Sequence, residues 1–107
     1  MNILRERNER CLMPVYKNSK VTSYYGNGSE MTPCEVRISD GTIAVSYKTA
    51  SGLEVYEGKD QGGGFYRLRR VNASGTATFY HIVDEDTLIG TWFQDSDEGM
   101  WRIDLLI

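Results

Sequence analysis

What most limits the fold of this chain is how little sequence separates its strands. From Thr42 onward six runs follow one another: TIAVSYK (Thr42 to Lys48), LEVYEG (Leu53 to Gly58), FYRLRRV (Phe65 to Val71), TATFYHIV (Thr76 to Val83), TLIGTWF (Thr87 to Phe93) and MWRIDLLI (Met100 to Ile107). Only TASG, KDQGGG, NASG, DED and QDSDEG stand between them. A crossover between parallel strands needs about a dozen residues or more, so none of these links can be one. Sequential strands must therefore pair antiparallel, as an up-and-down meander in sequence order. Two of the turns, KTASGLE and VNASGTA, each put a glycine where a short hairpin loop needs a residue at positive φ.

The first forty residues are less regular. Asn2 to Arg10 is rich in helix formers, and Ile3, Leu4, Cys11 and Leu12 recur at helical spacing, which predicts a short helix over 1–11. Two more strands are expected, one near Val15 to Tyr25 and one at CEVRIS (Cys34 to Ser39), separated by the loop GNGSEMTP and followed by the turn SDGT. The total is about eight strands, the number at which a meander can close into a small barrel and lose its edges. The expected fold is thus all-β: an antiparallel up-and-down meander, partly or fully closed, in one domain over 1–107, with the helix flanking or plugging one end.

Composition narrows the function classes. Eleven glycines against two prolines suit a turn-rich β-protein. A net charge of −3 argues against non-specific binding to nucleic acid or to an anionic membrane, and no stretch has the length of a membrane span. The opening MNILRERNER lacks the apolar core of a secretory signal, so a cytoplasmic setting is expected. Cys11 and Cys34 fit neither a zinc ribbon nor a thioredoxin-like motif; two buried or half-buried thiols are expected, and a disulfide between them is the alternative.

The closing hairpin carries the strongest pattern. Trp101, Ile103, Leu105 and Ile107 share a face that should be buried, opposite Arg102 and Asp104. On the preceding strand Leu88, Gly90 and Trp92 alternate with Ile89, Thr91 and Phe93, so both faces are apolar and cover on two sides is expected. Gly90 beside Trp92 marks a bend or a close backbone approach. The G-x-W element Gly90, Thr91, Trp92, set in meander topology, resembles the calycin-like small barrels of lipocalin and avidin-like architecture. That resemblance implies a barrel around an interior pocket.

Candidate chemistry is sparse. His81, the only histidine, shares a strand face with Ala77, Phe79 and Val83, and matters for binding or proton transfer if that face lines the interior. The acidic turns at Asp84 to Asp86 and Asp95 to Gly99 flank one strand, so they lie at its opposite ends and cannot share an ion; no metal and no cofactor is expected. Arg67 and Arg69 share a face with Phe65, a combination that can grip single-stranded nucleic acid, but no second basic strand is evident. Cross-strand pairing of the Arg67, Arg69 and Arg70 group with Glu54 or other acids is the expected alternative. No nucleophile elbow, phosphate loop or H-E-x-x-H motif occurs, so an enzyme is the less favoured class.

The leading expectation is a small-molecule binding module. Its interior would be lined by Tyr47, Tyr66, Tyr80, His81, Trp92 and Trp101, and its ligand a small apolar, aromatic or cationic compound, with no nucleic-acid or membrane partner. The alternative is a structural or interaction module, a homodimer joined through a sheet face. An enzyme using His81 comes third.

Overall fold

The structure, a computed structural model, describes residues 15–107; the helix expected over 1–11, and Cys11 with it, lie outside the described residues. Eight strands follow in order: β1 (Val15–Tyr25), β2 (Gly28–Ser39), β3 (Thr42–Thr49), β4 (Gly52–Asp60), β5 (Phe65–Arg70), β6 (Thr76–Ile82), β7 (Thr87–Gln94) and β8 (Asp97–Asp104). Each pairs antiparallel with the next, and β1 pairs with β8 from Lys20↔Asp104 to Tyr24↔Met100. The meander is therefore a fully closed barrel, beyond which the Gly28 to Pro33 half of β2 runs on paired to β1 alone.

Turn chemistry sets the register. Between β2 and β3, Asp40 and Gly41 both have positive φ (50° and 78°), and between β7 and β8 so do Asp95 and Ser96 (51° and 74°). This is the conformation whose twist matches that of the flanking strands in a two-residue hairpin loop. The second turn is tighter than the six-residue loop expected from QDSDEG, because Gln94 and Asp97 pair across it. A larger difference lies in β2. The expected loop GNGSEMTP is mostly strand, with Glu30, Met31 and Thr32 paired to Ser23, Thr22 and Val21. Pro33 is tolerated because β3 pairs with β2 only from Cys34↔Tyr47 onward, leaving the missing N–H without a partner to disappoint.

Alternation places one face of every strand inside. Val36, Val45, Phe79, Leu88 and Ile103 have no exposed surface at all, so the middle of the barrel is solid. Trp101 lies at its centre. It stacks on Phe79, with ring centroids 4.6 Å apart and planes at 12°, and meets Tyr56 edge-on at 5.2 Å.

The buried face of β8 ends at Leu105. Ile107 is 79% exposed, contrary to expectation, because the strand stops at Asp104 and the tail turns along β1. There Leu106 N–H donates to Ser19 Oγ, and Asn18 N–H donates to Leu106 O, each at 2.9 Å. The outer face of β7 is also uncovered: Ile89 and Phe93 are exposed although both faces read as apolar. A closed barrel has one interior, and nothing among the described residues packs on its outside.

The two glycines of the closing hairpin serve the two tryptophans. Gly90 pairs with Trp101, and Gly99 with Trp92. A Cβ on Gly90 would collide with the carbonyl oxygen of Thr78; the Trp101 indole N–H reaches over that position and donates to the same oxygen at 3.3 Å. A Cβ on Gly99 would lie 2.6 Å from Cζ2 of Trp92, whose indole N–H donates to Met100 O at 3.3 Å. Each tryptophan thus covers the glycine opposite, which is how bare backbone in a bent sheet is shielded.

Candidate functional site

The β1–β2, β3–β4, β5–β6 and β7–β8 turns surround one mouth of the barrel, and the start of β1, the end of β8 and the remaining turns surround the other. At the first mouth the solid core gives way to a hollow of about 260 Å³. Its walls converge from β1, β2, β3, β4, β7 and β8. Tyr25, Tyr47, Tyr56, Trp92 and Trp101 supply ring surface, and Ser23, Glu30, Thr32, Lys48 and Glu54 supply polar groups. Tyr25 meets Trp92 edge-on at 5.8 Å and donates its hydroxyl to Glu30 Oε1 at 3.1 Å.

Beside the hollow lies a clasp. Arg70 points inward from β5, its side chain 14% exposed, and donates from Nε to Glu54 Oε1 at 2.7 Å and from Nη2 to Glu54 Oε2 at 2.8 Å. Nη1 donates to Ser74 O at 3.1 Å and lies 3.6 Å from Asp95 Oδ2. The Gln94 amide, with its oxygen toward the guanidinium, accepts from Nη1 at 2.9 Å. A single guanidinium thereby ties β4 to the β5–β6 and β7–β8 turns. Because its donors are all engaged, it has none left to aim at an anion in the hollow.

Charge and burial set the protonation of this mouth. Arg70 holds the Glu54 carboxyl below the usual carboxylate range, through the two charge-assisted hydrogen bonds and then through its charge, against an opposing push from partial burial. Burial pushes the Tyr47 and Tyr56 phenols up, so both stay protonated at neutral pH. The sign for stability follows. A carboxyl depressed in the folded state stabilises fully above its unfolded value near 4.3, and that contribution is lost as pH falls through the lower folded value. Urea titrations at a series of pH values from about 5 down toward 3 should show wild-type stability falling more steeply than that of Glu54→Gln. Parallel pH profiles would show that the pair is not formed in solution.

The six residues expected to line a site are divided by the fold. Trp92, Trp101 and Tyr47 meet at the hollow. His81 lies on the inward face of β6 with Ala77 and Phe79, but it is half-buried at the opposite mouth, where its amide donates to Gly64 O at 2.9 Å. Tyr66, on β5, is buried and points to the same far end. Tyr80 faces outward, 55% exposed, because its strand neighbours Ala77 and Phe79 take the interior parity. Tyr25, Tyr56 and Glu30 were not singled out from sequence. Tyr25 and Glu30 fell in or beside the misassigned loop, and alternation hid the inward parity of Tyr56, because the apolar Leu53 and Val55 share the opposite face.

No known family and no curated protein matches this chain.

Two readings from sequence find different outcomes here. The free Cys34 is buried in the core, and burial pushes its thiol up to about 12, so it stays protonated and unreactive at neutral pH. Of the three arginines of β5, Arg70 pairs with Glu54 as expected, while Arg67 and Arg69 make no ion pair among the described residues.

Proposed function

We propose that this protein is a small-molecule binding module whose ligand enters the hollow at the first mouth. The observation that carries this reading is the convergence of five aromatic rings, the carboxylates of Glu30 and Glu54 and the ammonium of Lys48 on an open space in an otherwise solid barrel. The closed eight-stranded meander is the architecture that calycin-like binding proteins use, which supports the same reading. At about 260 Å³ the hollow falls just below the ~300–1,000 Å³ range of ordinary ligand sites, so the ligand is small. It is neutral or cationic, because Arg70 is saturated, Glu30 offsets the lining's own cation, Lys48, and the ring faces attract cations.

A panel of small planar amines and their uncharged isosteres tests this by thermal shift. Ligand at about 100 times its Kd should stabilise the protein by about 2.7 kcal/mol. Tyr47→Phe, which removes a hydroxyl and keeps the ring, should weaken binding without lowering the stability of the free protein. A panel with no stabilising member, together with tryptophan emission that no compound alters, would refute the reading.

The second reading, a module that dimerises through a sheet face, draws on the exposure of Tyr80, Phe93 and Met100 on the outside of β6, β7 and β8. Sedimentation velocity over a range of concentrations separates it from the first.

A further inference from the structure

We infer that the outer face of the barrel centred on β5 binds single-stranded nucleic acid. From sequence, Arg67 and Arg69 stood without a further cation beside them; the register supplies one, on a strand that otherwise carries Glu54, Glu57 and Asp60. Lys59 of β4 stands directly opposite Arg67, and both are exposed on the outer face. Like charges placed directly across an antiparallel pair destabilise a sheet. Among the described residues no carboxylate comes within ion-pair distance of Lys59, Arg67 or Arg69 to relieve them. Glu57 is the cross-strand neighbour of Arg69 and makes no ion pair with it. An unrelieved cation cluster is what a polyanion site looks like when its ligand is absent.

The shape of the face selects a strand rather than a point charge. Followed across the barrel, the row through Lys59 continues to Arg67, Thr78, Thr91, Met100 and Tyr24, and holds no carboxylate. Six strands at a spacing of ~4.8 Å give it an arc of roughly 24 Å that curves with the barrel, with both cations at the β4–β5 end. Open grooves adjoin Arg69 on both sides, one of about 740 Å³ that includes Arg37 and Lys59, the other of about 950 Å³ that includes Arg67, Tyr24 and Phe93. Glu98 stands in the second groove and Glu57 in the first, each off the row itself.

Aromatic rings flank the cations. Phe65 and Tyr80 lie side by side with centroids 4.6 Å apart, Tyr80 half open to solvent, and the Arg67 guanidinium sits 5.9 Å from the Phe65 centroid. Cations that track a backbone, beside rings on which bases stack, are the two parts of sequence-tolerant single-strand recognition. A sulfated polysaccharide would use the cations and leave the rings idle, and in a duplex the base faces are out of reach. The net charge of −3 acts at longer range, where salt screens it beyond about 10 Å at 0.1 M, whereas the cluster acts on contact.

Fluorescence anisotropy with a labelled oligonucleotide of about 12 residues, inside the ~4–16-nucleotide range of comparable sites, tests the inference. Binding should appear at low salt and weaken as salt rises. The double variant Arg67→Gln, Arg69→Gln should bind roughly ten-fold or more weakly and with a shallower salt dependence. Tyr80→Ala should weaken binding roughly five-fold or more, and Tyr80→Phe should restore it. All three substitutions are on the surface, and circular dichroism checks that each variant folds. Any of four results overturns the proposal: no binding at low salt, duplex or heparin bound as tightly as the single strand, a Tyr80→Ala variant that binds like wild type, or a dimer in the assay that buries Tyr80.

Discussion

Gly90→Ala is expected to destabilise the barrel by ~3 kcal/mol or more, at or beyond the upper end of what overpacking ordinarily costs. The added methyl would collide with the Thr78 carbonyl oxygen and approach Phe79 Cα at 2.9 Å, so the obstruction is backbone. A flexible side chain could swing away; a strand of a closed barrel cannot move without disturbing both of its neighbours. The local hydrogen bonding leaves no slack either. Thr91 N–H donates to Thr78 Oγ1 at 3.2 Å, and Thr78 O receives the Trp101 indole. Moving β6 away from β7 would break both contacts and unstack Phe79 from Trp101. Gly28→Ala is the control, since a Cβ there meets nothing within 4 Å, and it should change stability by no more than about 0.5 kcal/mol. Equilibrium urea unfolding of the two variants decides the matter. Equal midpoints for Gly90→Ala and wild type would mean that β6 and β7 do not approach this closely.

Trp101→Ala should cost on the order of 3–5 kcal/mol. The indole is 2% exposed and stands between Tyr56 and Phe79, so its loss leaves two large rings without the partner they pack against. Collapse is opposed by geometry, because those rings belong to β4 and β6 and a closed barrel holds both in place. The vacated volume would open into the hollow at the first mouth, which Trp101 already borders. Trp101→Phe should lose markedly less stability, since a ring can still stack on Phe79, although it gives up the hydrogen bond to Thr78 O. Urea midpoints again provide the measure. A loss below about 1 kcal/mol for Trp101→Ala would contradict the packed centre described above.

Much of the architecture was legible because it is local. Short turns exclude crossovers, the two-residue period fixes which side chains share a face, and Gly52 and Gly75 take the positive φ that their hairpins require. The errors had physical causes as well. The segment GNGSEMTP is polar and contains glycine and proline, and it becomes strand only because β1 supplies a partner along its whole length. Ile107 continued an apolar alternation past the point where β8 loses its pairing, and alternation does not reveal where pairing stops.

The candidate site was legible only in part, and for a different reason. Parity along a strand identified Trp92, Trp101 and Tyr47 as inward, and by the same rule it turns Tyr80 outward once Ala77 and Phe79 take the interior. Parity does not say at which mouth a residue lies, so it could not separate His81 and Tyr66 from the others. The sequence by itself determined an antiparallel meander, its strand order and the inward faces of its closing hairpin, because turn length and side-chain period are properties of neighbouring residues. Tertiary structure alone decided that the barrel closes, that its centre is solid while one mouth is hollow, that of the three arginines it is Arg70 that meets Glu54, and that Lys59 stands opposite Arg67. Each of these depends on register between segments far apart in the chain, and register is set by the joint packing of all eight strands around one core.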